Sequence, residues 1–204
     1  MREDKLKKLN SIVNELSVKS KREVEVPQKD KFIQSIRREY ILNNGDKICR
    51  EEILKGGKTG SAVIIVPVIG NEILVAIEPR VYNKLTVGIG FPAGYVENGE
   101  DPLEAAKREL REETGYTAEE FILLDDFLPE EGCSSAENTI YLALDCKKEF
   151  EQDLDKDEYV KPMTFTYDEL LELESMRYIR GINTKHALLK MEKYFKEKWF
   201  YGKI

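Results

Sequence analysis

Residues 91–116 read FPAGYVENGEDPLEAAKRELREETGY, and the physical signals in order are a turn, a helix and a stop. Pro92, Gly94, Asn98 and Gly99 mark a loop with tight backbone positions. Asp101 suits a helix N-cap, Pro102 the first helical position, and Glu104 the far end of a D-x-x-E capping box. Leu103, Ala106, Leu110 and Thr114 share one face at helical spacing, and Gly115 is placed to end the helix. The same helix carries Glu104, Glu109, Glu112 and Glu113. Glu109 and Glu113 are four apart, so their carboxylates point the same way and weaken a bare helix. A divalent cation between them would remove that penalty, because hard cations favour carboxylate oxygens.

The spacing Gly94, Glu100, Arg108-Glu109, Leu110, Glu112-Glu113, Gly115 resembles the Nudix box, G-x5-E-x7-R-E-U-x-E-E-x-G-U with U a bulky apolar residue. Every fixed polar and glycine position matches, and Tyr116 in the last U position is aromatic rather than aliphatic. The alternative, a solvated acidic helix after a turn, does not account for so many constrained positions at fixed spacing.

The chain has 204 residues, enough for one substantial core with a small appendage. It is 41% hydrophobic and 35% charged, as soluble globular proteins are. The net charge of -7 argues against a general nucleic-acid or anionic-membrane binder. The charge is uneven. Residues 1–60 carry 15 Lys/Arg against 10 Asp/Glu, and the remainder 17 against 29, so the cation site is expected in the acidic part. Cys49, Cys133 and Cys146 form no CxxC and suggest reduced thiols rather than a disulfide framework or a zinc cluster. MREDKLKKLN has no apolar targeting segment and no run approaches transmembrane length, so a cytoplasmic protein is expected.

Residues 3–17 read as an amphipathic helix with Leu6, Leu9, Ile12, Val13 and Leu16 on one face. Its Lys-rich polar face admits a membrane-surface role, but a helix docked on its own domain or a partner subunit is the expected one. Residues 18–31, with Pro27, are a connection. Residues 32–55 predict a hairpin turning at Asn44-Gly45. SAVIIVPV at 61–68 is a strand apolar on both faces; Gly70-Asn71 turns the chain, and EILVAIE at 72–78 returns. Residues 82–90 are a loop or short strand. Strands follow at 121–127, 138–145 and 160–165, with a polar loop at 128–137 and an acidic solvated loop at 147–158. A short helix spans 167–174, and Thr184 is placed to cap a last helix over about 185–199, ahead of a packed aromatic tail at Trp199, Phe200 and Tyr201. His186, the single histidine, is expected as a surface or packing residue of that helix.

The fold class is therefore α/β (α+β): a mixed β-sheet sandwiched between helices, which is the Nudix fold the box implies, with a small N-terminal helix and β-hairpin extension. The division expected is 1–58 for the extension and 59–204 for the hydrolase domain. YILNNGDKICREEILKGG resembles the N-terminal strands of the ADP-ribose pyrophosphatase branch, where such strands pack across a homodimer, and this implies a homodimer here.

Convergent carboxylates binding magnesium or manganese polarise phosphoryl oxygens and neutralise transition-state charge, the chemistry that cleaves a pyrophosphate. No dinucleotide fingerprint, P-loop, H-E-x-x-H or serine elbow is present. The family resemblance implies Glu109 and Glu113 as main metal ligands, and Glu112 as a further ligand, directly or through water. It makes Glu100 a peripheral ligand or the partner of Arg108, and the Ala93 carbonyl a backbone ligand. Gly94 lets the loop approach the ion and Arg108 anchors loop to helix. Arg80 is a substrate contact, with a solvated arginine as the alternative. Tyr82, Phe91 and Phe127 are possible apolar contacts to the substrate, with core packing the plainer reading. The general base implied is Glu137, with Glu130 and Glu131 as alternatives in the same loop.

Departures from the branch are Gly90 in place of an acid before Phe91-Pro92-Ala93-Gly94, and Ile77-Glu78-Pro79-Arg80 in place of Arg-Gln-Tyr-Arg. The function implied is metal-dependent hydrolysis of a nucleoside diphosphate derivative, ADP-ribose to AMP and ribose 5-phosphate first. Another nucleotide sugar, a dinucleotide, a nucleoside triphosphate, or a non-catalytic nucleotide-binding module are the alternatives.

Overall fold

The computed structural model describes residues 1–22, 31–56 and 58–201, with side chains as far as 196. Its elements run α1 (Glu3–Leu16), β1 (Ile33–Ile41), β2 (Lys47–Lys55), β3 (Ala62–Ile69), β4 (Glu72–Pro79), β5 (Val87–Gly90), β6 (Ala93–Tyr95), α2 (Pro102–Thr114), β7 (Tyr116–Thr117), β8 (Glu120–Phe127), β9 (Asn138–Leu144), β10 (Lys147–Lys148), β11 (Lys161–Phe165), α3 (Tyr167–Ser175) and α4 (Ile182–Tyr201).

The central sheet has the order β11-β4-β3-β9-β8, with β5 on β4 and β6 on β3. It is mixed: β3 and β9 run parallel and the other pairs antiparallel. β3 shows why a continuous apolar run was needed. Ile64 and Val66 join one core with α1, α3 and α4, while Val63 and Ile65 join a second core with Ala105, Ala106 and Leu110 of α2. Helices thus cover both faces. Among the described residues no helix is long and apolar enough to cross a membrane.

α1 docks through Leu9 and Ile12 into the larger core. Its Lys5 Nζ lies 2.9 Å from Glu72 Oε1 and 2.6 Å from Glu169 Oε2, above the Phe165 ring. β1 and β2 form a separate two-stranded sheet. It rests on the 128–137 loop, with Ile53 N–H donating to Cys133 O at 2.7 Å, and Phe32 reaches the Tyr95 ring at 5.8 Å between centroids.

Two local expectations are corrected and a third is refined. Asp101 caps α2 by accepting the Leu103 N–H at 2.9 Å, but Glu104 turns outward to Lys107 and the capping box is not closed. Thr184 does not cap α4, which begins two residues earlier; it is buried in the first turn. The acidic segment 147–158 is exposed apart from Gln152 and Leu154, as expected, but it is tied down. Its start, β10, pairs with β7, and the Gln152 amide donates to both Glu113 O at 2.5 Å and Val160 O at 3.0 Å. With the Glu149 and Phe150 N–H groups donating to Gly115 O and the Asp153 N–H to Glu112 O, this side chain pins the segment to the end of α2. The side chains of Trp199, Phe200 and Tyr201 lie outside the described residues.

Candidate active site

α2 reaches the site by burying its apolar stripe under β3 and β6, which turns its glutamate stripe toward the Ala93–Gly94 turn. Ala93 N–H donates to Glu113 Oε2 at 3.1 Å. Gly94 faces Glu109 so closely that a Cβ would lie 2.0 Å from the carboxylate, so any side chain there would displace Glu109 from its place beside Arg108. Both carboxylates thus meet one short strand. Gly115 ends α2 in the left-handed region at φ 75°, where a Cβ would strike Phe150 O.

Arg108 holds this arrangement together. Its Nε and Nη2 clasp Glu100 at 2.9 and 3.0 Å, and Nη2 also donates to Tyr95 O at 3.1 Å. Nη1 lies 2.7 Å from Glu109 Oε1 and 3.1 Å from Glu112 Oε2. The fork lowers the Glu100 pKa and its own rises, first through Glu100. Glu100 is thereby the partner of Arg108.

The inner carboxylates behave oppositely. Burial pushes Glu113 up to about 9, reinforced by the like charges of Glu78, Glu109 and Glu158. Burial also raises Glu109 and Glu78, with Glu158 adding to both. Glu78 and Glu158 were not read as site residues from the sequence. β11 pairs Lys161 with Ile77, which carries the segment just before it past the end of β4, where Glu78 stands. The local sequence of an acidic loop holds no signal for this; the pinning glutamine at 152 was the available clue.

The other expected residues are distributed as follows. Glu137 is exposed at the foot of β9, its backbone N–H donating to Ser61 Oγ at 3.1 Å. Glu130 pairs with Lys55 of the hairpin at 3.3 Å, and Glu131 lines the cleft between that hairpin and the loop. Arg80 reaches Glu78 Oε1 at 2.5 Å. Phe91 is buried in the larger core, and with Arg80, Glu78 and Ala93 it lines a cavity of about 520 Å³ beside the carboxylates. Tyr82 stands fully exposed at its rim. Phe127 packs at 4.6 Å against His186, whose Nε2 lies 2.6 Å from Asp125 Oδ2.

Among the described residues, no group of three or more His, Cys, Asp and Glu side chains is set to hold a metal ion as it stands. Arg108 occupies the notch between Glu109 and Glu112. The donor chemistry nevertheless fits a hard divalent cation: all the converging groups are carboxylate oxygens, and Glu113 is buried among like charges with one backbone N–H as its described donor.

A family model described as NUDIX domain matches residues 58–182. The chain is 31% identical over 148 residues to an ADP-ribose pyrophosphatase of Bacillus subtilis, covering 72% of this chain and 78% of that one. It is 36% identical over 134 residues to a methanol dehydrogenase activator of Bacillus methanolicus, covering 64% and 69%. A solved structure described as an ADP compounds hydrolase superposes with TM-score 0.70 at 21% identity over 89% of this chain and 91% of that one, a likeness of fold.

Proposed function

The chain belongs to the Nudix family, and we propose that it is a metal-dependent pyrophosphohydrolase of nucleoside diphosphate derivatives, cleaving ADP-ribose to AMP and ribose 5-phosphate. The observation that carries this reading is the convergence of Glu109 and Glu113 on the Ala93–Gly94 turn, where Ala93 and Glu78 line the cavity. The similarity to an ADP-ribose pyrophosphatase supports the choice of substrate.

Glu109, Glu113 and Glu112, with the Ala93 carbonyl, would hold magnesium or manganese, and Glu100 would act through Arg108. Bound there, the cation neutralises charge on the phosphoryl oxygens. The chain's own residues do the rest. Arg108 keeps Glu109 and Glu112 aimed at the turn. Gly94 leaves room for the Glu109 carboxylate. Arg80, on the cavity wall, meets substrate charge. A carboxylate base takes a proton from water as its oxygen bonds to phosphorus, and the bridging P–O bond breaks with the electron pair leaving on the second phosphate.

Two carboxylates compete for that base. Glu137 is favoured by the loop pattern; Glu158, exposed and accepting the Asp155 N–H at 3.2 Å, lies in the segment pinned to the end of α2. Turnover of Glu158→Gln and Glu137→Gln decides between them, the true base losing about a hundredfold or more. A homodimer through the hairpin is supported by its exposed apolar residues, Phe32, Ile33, Tyr40 and Ile41.

Product analysis over a panel of pyrophosphates with magnesium tests the proposal: ADP-ribose, other nucleotide sugars, NADH, diadenosine polyphosphates and nucleoside triphosphates. AMP and ribose 5-phosphate formed preferentially from ADP-ribose are expected. The second reading, a nucleotide-binding module, is favoured by the Arg108 guanidinium standing between Glu109 and Glu112. It would be upheld by nucleotide binding without turnover in either magnesium or manganese.

A further inference from the structure

The cavity beside the carboxylates also carries cationic and hydrogen-bond-donating groups. Its lining joins Glu78 and Ala93 to Asn83, Arg180 and the first turn of α4, with Arg80 between them, paired to Glu78 at 2.5 Å. Two glycines on one face of β5 make this lining possible. A Cβ on Gly88 would lie 2.5 Å from Arg80 Cγ, and one on Gly90 3.0 Å from Thr184 Oγ1. Gly88 thus lets the arginine lie across the strand, and Gly90 lets α4 approach it.

Arg180 is aimed by a neutral partner. Its Nη1 donates to Asn83 Oδ1 at 3.3 Å. Asn83 is itself fixed, its Nδ2 donating to Val87 O at 2.8 Å inside a loop closed by Arg80 N–H to Thr86 O at 2.8 Å and Asn83 N–H to Arg80 O at 2.7 Å. Among the described residues no carboxylate pairs with Arg180, so its charge is uncommitted. The first helical hydrogen bond of α4 runs from Lys185 N–H to Gly181 O, which leaves the amides of Ile182, Asn183 and Thr184 without an acceptor inside the helix. Thr184 is only 6% exposed, lines the cavity, and its hydroxyl has no hydrogen-bond partner among the described residues.

We infer that Arg180, the Thr184 hydroxyl and the first-turn amides of α4, with Arg80 reaching in from its pair with Glu78, form an anion subsite that takes a phosphoryl group of the substrate in the same cavity. This rests on the proposed pyrophosphatase reading for its biological ligand. Its chemistry does not: planar guanidinium, hydroxyl and helix N-terminal amides all donate to phosphoryl oxygens. The group bound is either a phosphate of the cleaved diphosphate or a further phosphate on a longer chain.

Calorimetric titration of inorganic pyrophosphate into the full chain without added metal tests the subsite directly. Arg180→Ala is expected to weaken binding about tenfold and Thr184→Val by a smaller factor, with Asn83→Ala moving the same way as Arg180→Ala because it releases the guanidinium. In turnover assays Arg180→Ala should raise KM about tenfold while moving kcat less than threefold. A KM rise on both ADP-ribose and diadenosine tetraphosphate assigns the subsite to the diphosphate itself; a rise on the tetraphosphate alone assigns it to the added phosphate. Either supports the subsite. Loss of pyrophosphate binding in Arg180→Ala, in a wild type that hydrolyses nothing in the panel, would end the proposed reaction and leave the subsite standing. Wild-type-like binding in both Arg180→Ala and Thr184→Val, with unaltered thermal melts, or no binding of pyrophosphate to the wild type, overturns it.

Discussion

Two charge clusters sit on opposite sides of the sheet, and they differ in the size of their acidic excess. On the α1 side one lysine serves two carboxylates. Lys5 keeps a raised pKa despite burial, through hydrogen bonds to Glu169 and Glu72. Glu72, held by Thr164 and Lys5, falls below the usual range, and so does Glu169 in spite of its burial, through Lys5 and the Thr166 N–H. On the α2 side one arginine serves Glu100, Glu109 and Glu112, and Glu113 remains buried beyond it with its pKa raised. The first cluster is complete as folded. The second is complete only with something added, and charge left unneutralised in a buried place marks where a ligand belongs.

The comparison makes three predictions. The largest effect is on catalysis. Glu113→Gln should cut kcat by about a thousandfold or more while circular dichroism shows the fold intact, whereas Lys5→Met should leave kcat within about twofold. Near-wild-type turnover of Glu113→Gln at saturating magnesium would remove Glu113 from the machinery. Next comes metal-linked stability. Magnesium at about a hundred times its Kd should raise the melting point by several degrees, about 2.7 kcal/mol, with Glu109→Gln and Glu113→Gln both blunting the rise and Lys5→Met preserving it. An equal shift in all variants would place the cation elsewhere.

The smallest effect is on acid stability. Glu72 and Glu169 have folded-state pKa values below their unfolded ones, so their contribution is fully present above the unfolded pKa and is lost as pH falls through the folded values. Between about pH 5 and 3 the wild type should lose on the order of 1 kcal/mol more than Lys5→Met, which starts about 1–2 kcal/mol less stable. Parallel acid melts of the two proteins would show that the α1 cluster contributes nothing.

Much of this architecture is legible in the amino-acid sequence. The box at 94–116 specifies α2 and the glutamates it presents. Apolar runs locate β3 and β4, and Asn44-Gly45 locates the hairpin turn. What stays hidden depends on distant contacts. Nothing local distinguishes Glu158 from its acidic neighbours, because its position is set by the β11–β4 pairing and by the Gln152 amide. Thr184 resembles a cap because caps are recognised by residue type, whereas Gly90 leaves a hole that draws it into the packed first turn. Arg180 has no motif at all; its placement comes from Asn83, 97 residues earlier.

The single parallel pair in the sheet has a kinetic consequence. Joining Ala62 to Asn138 closes a loop of 76 residues that contains the whole of α2. Such a closure costs entropy before any contact repays it, and chains dominated by distant pairings fold slowly. The turn at Ala93–Gly94 hangs on β3, and the pinned segment before β11 comes later still in the chain. The carboxylates of α2 therefore meet the Ala93–Gly94 turn only once that turn has docked on β3, so in refolding the gain of magnesium affinity should trail the burst of helix signal.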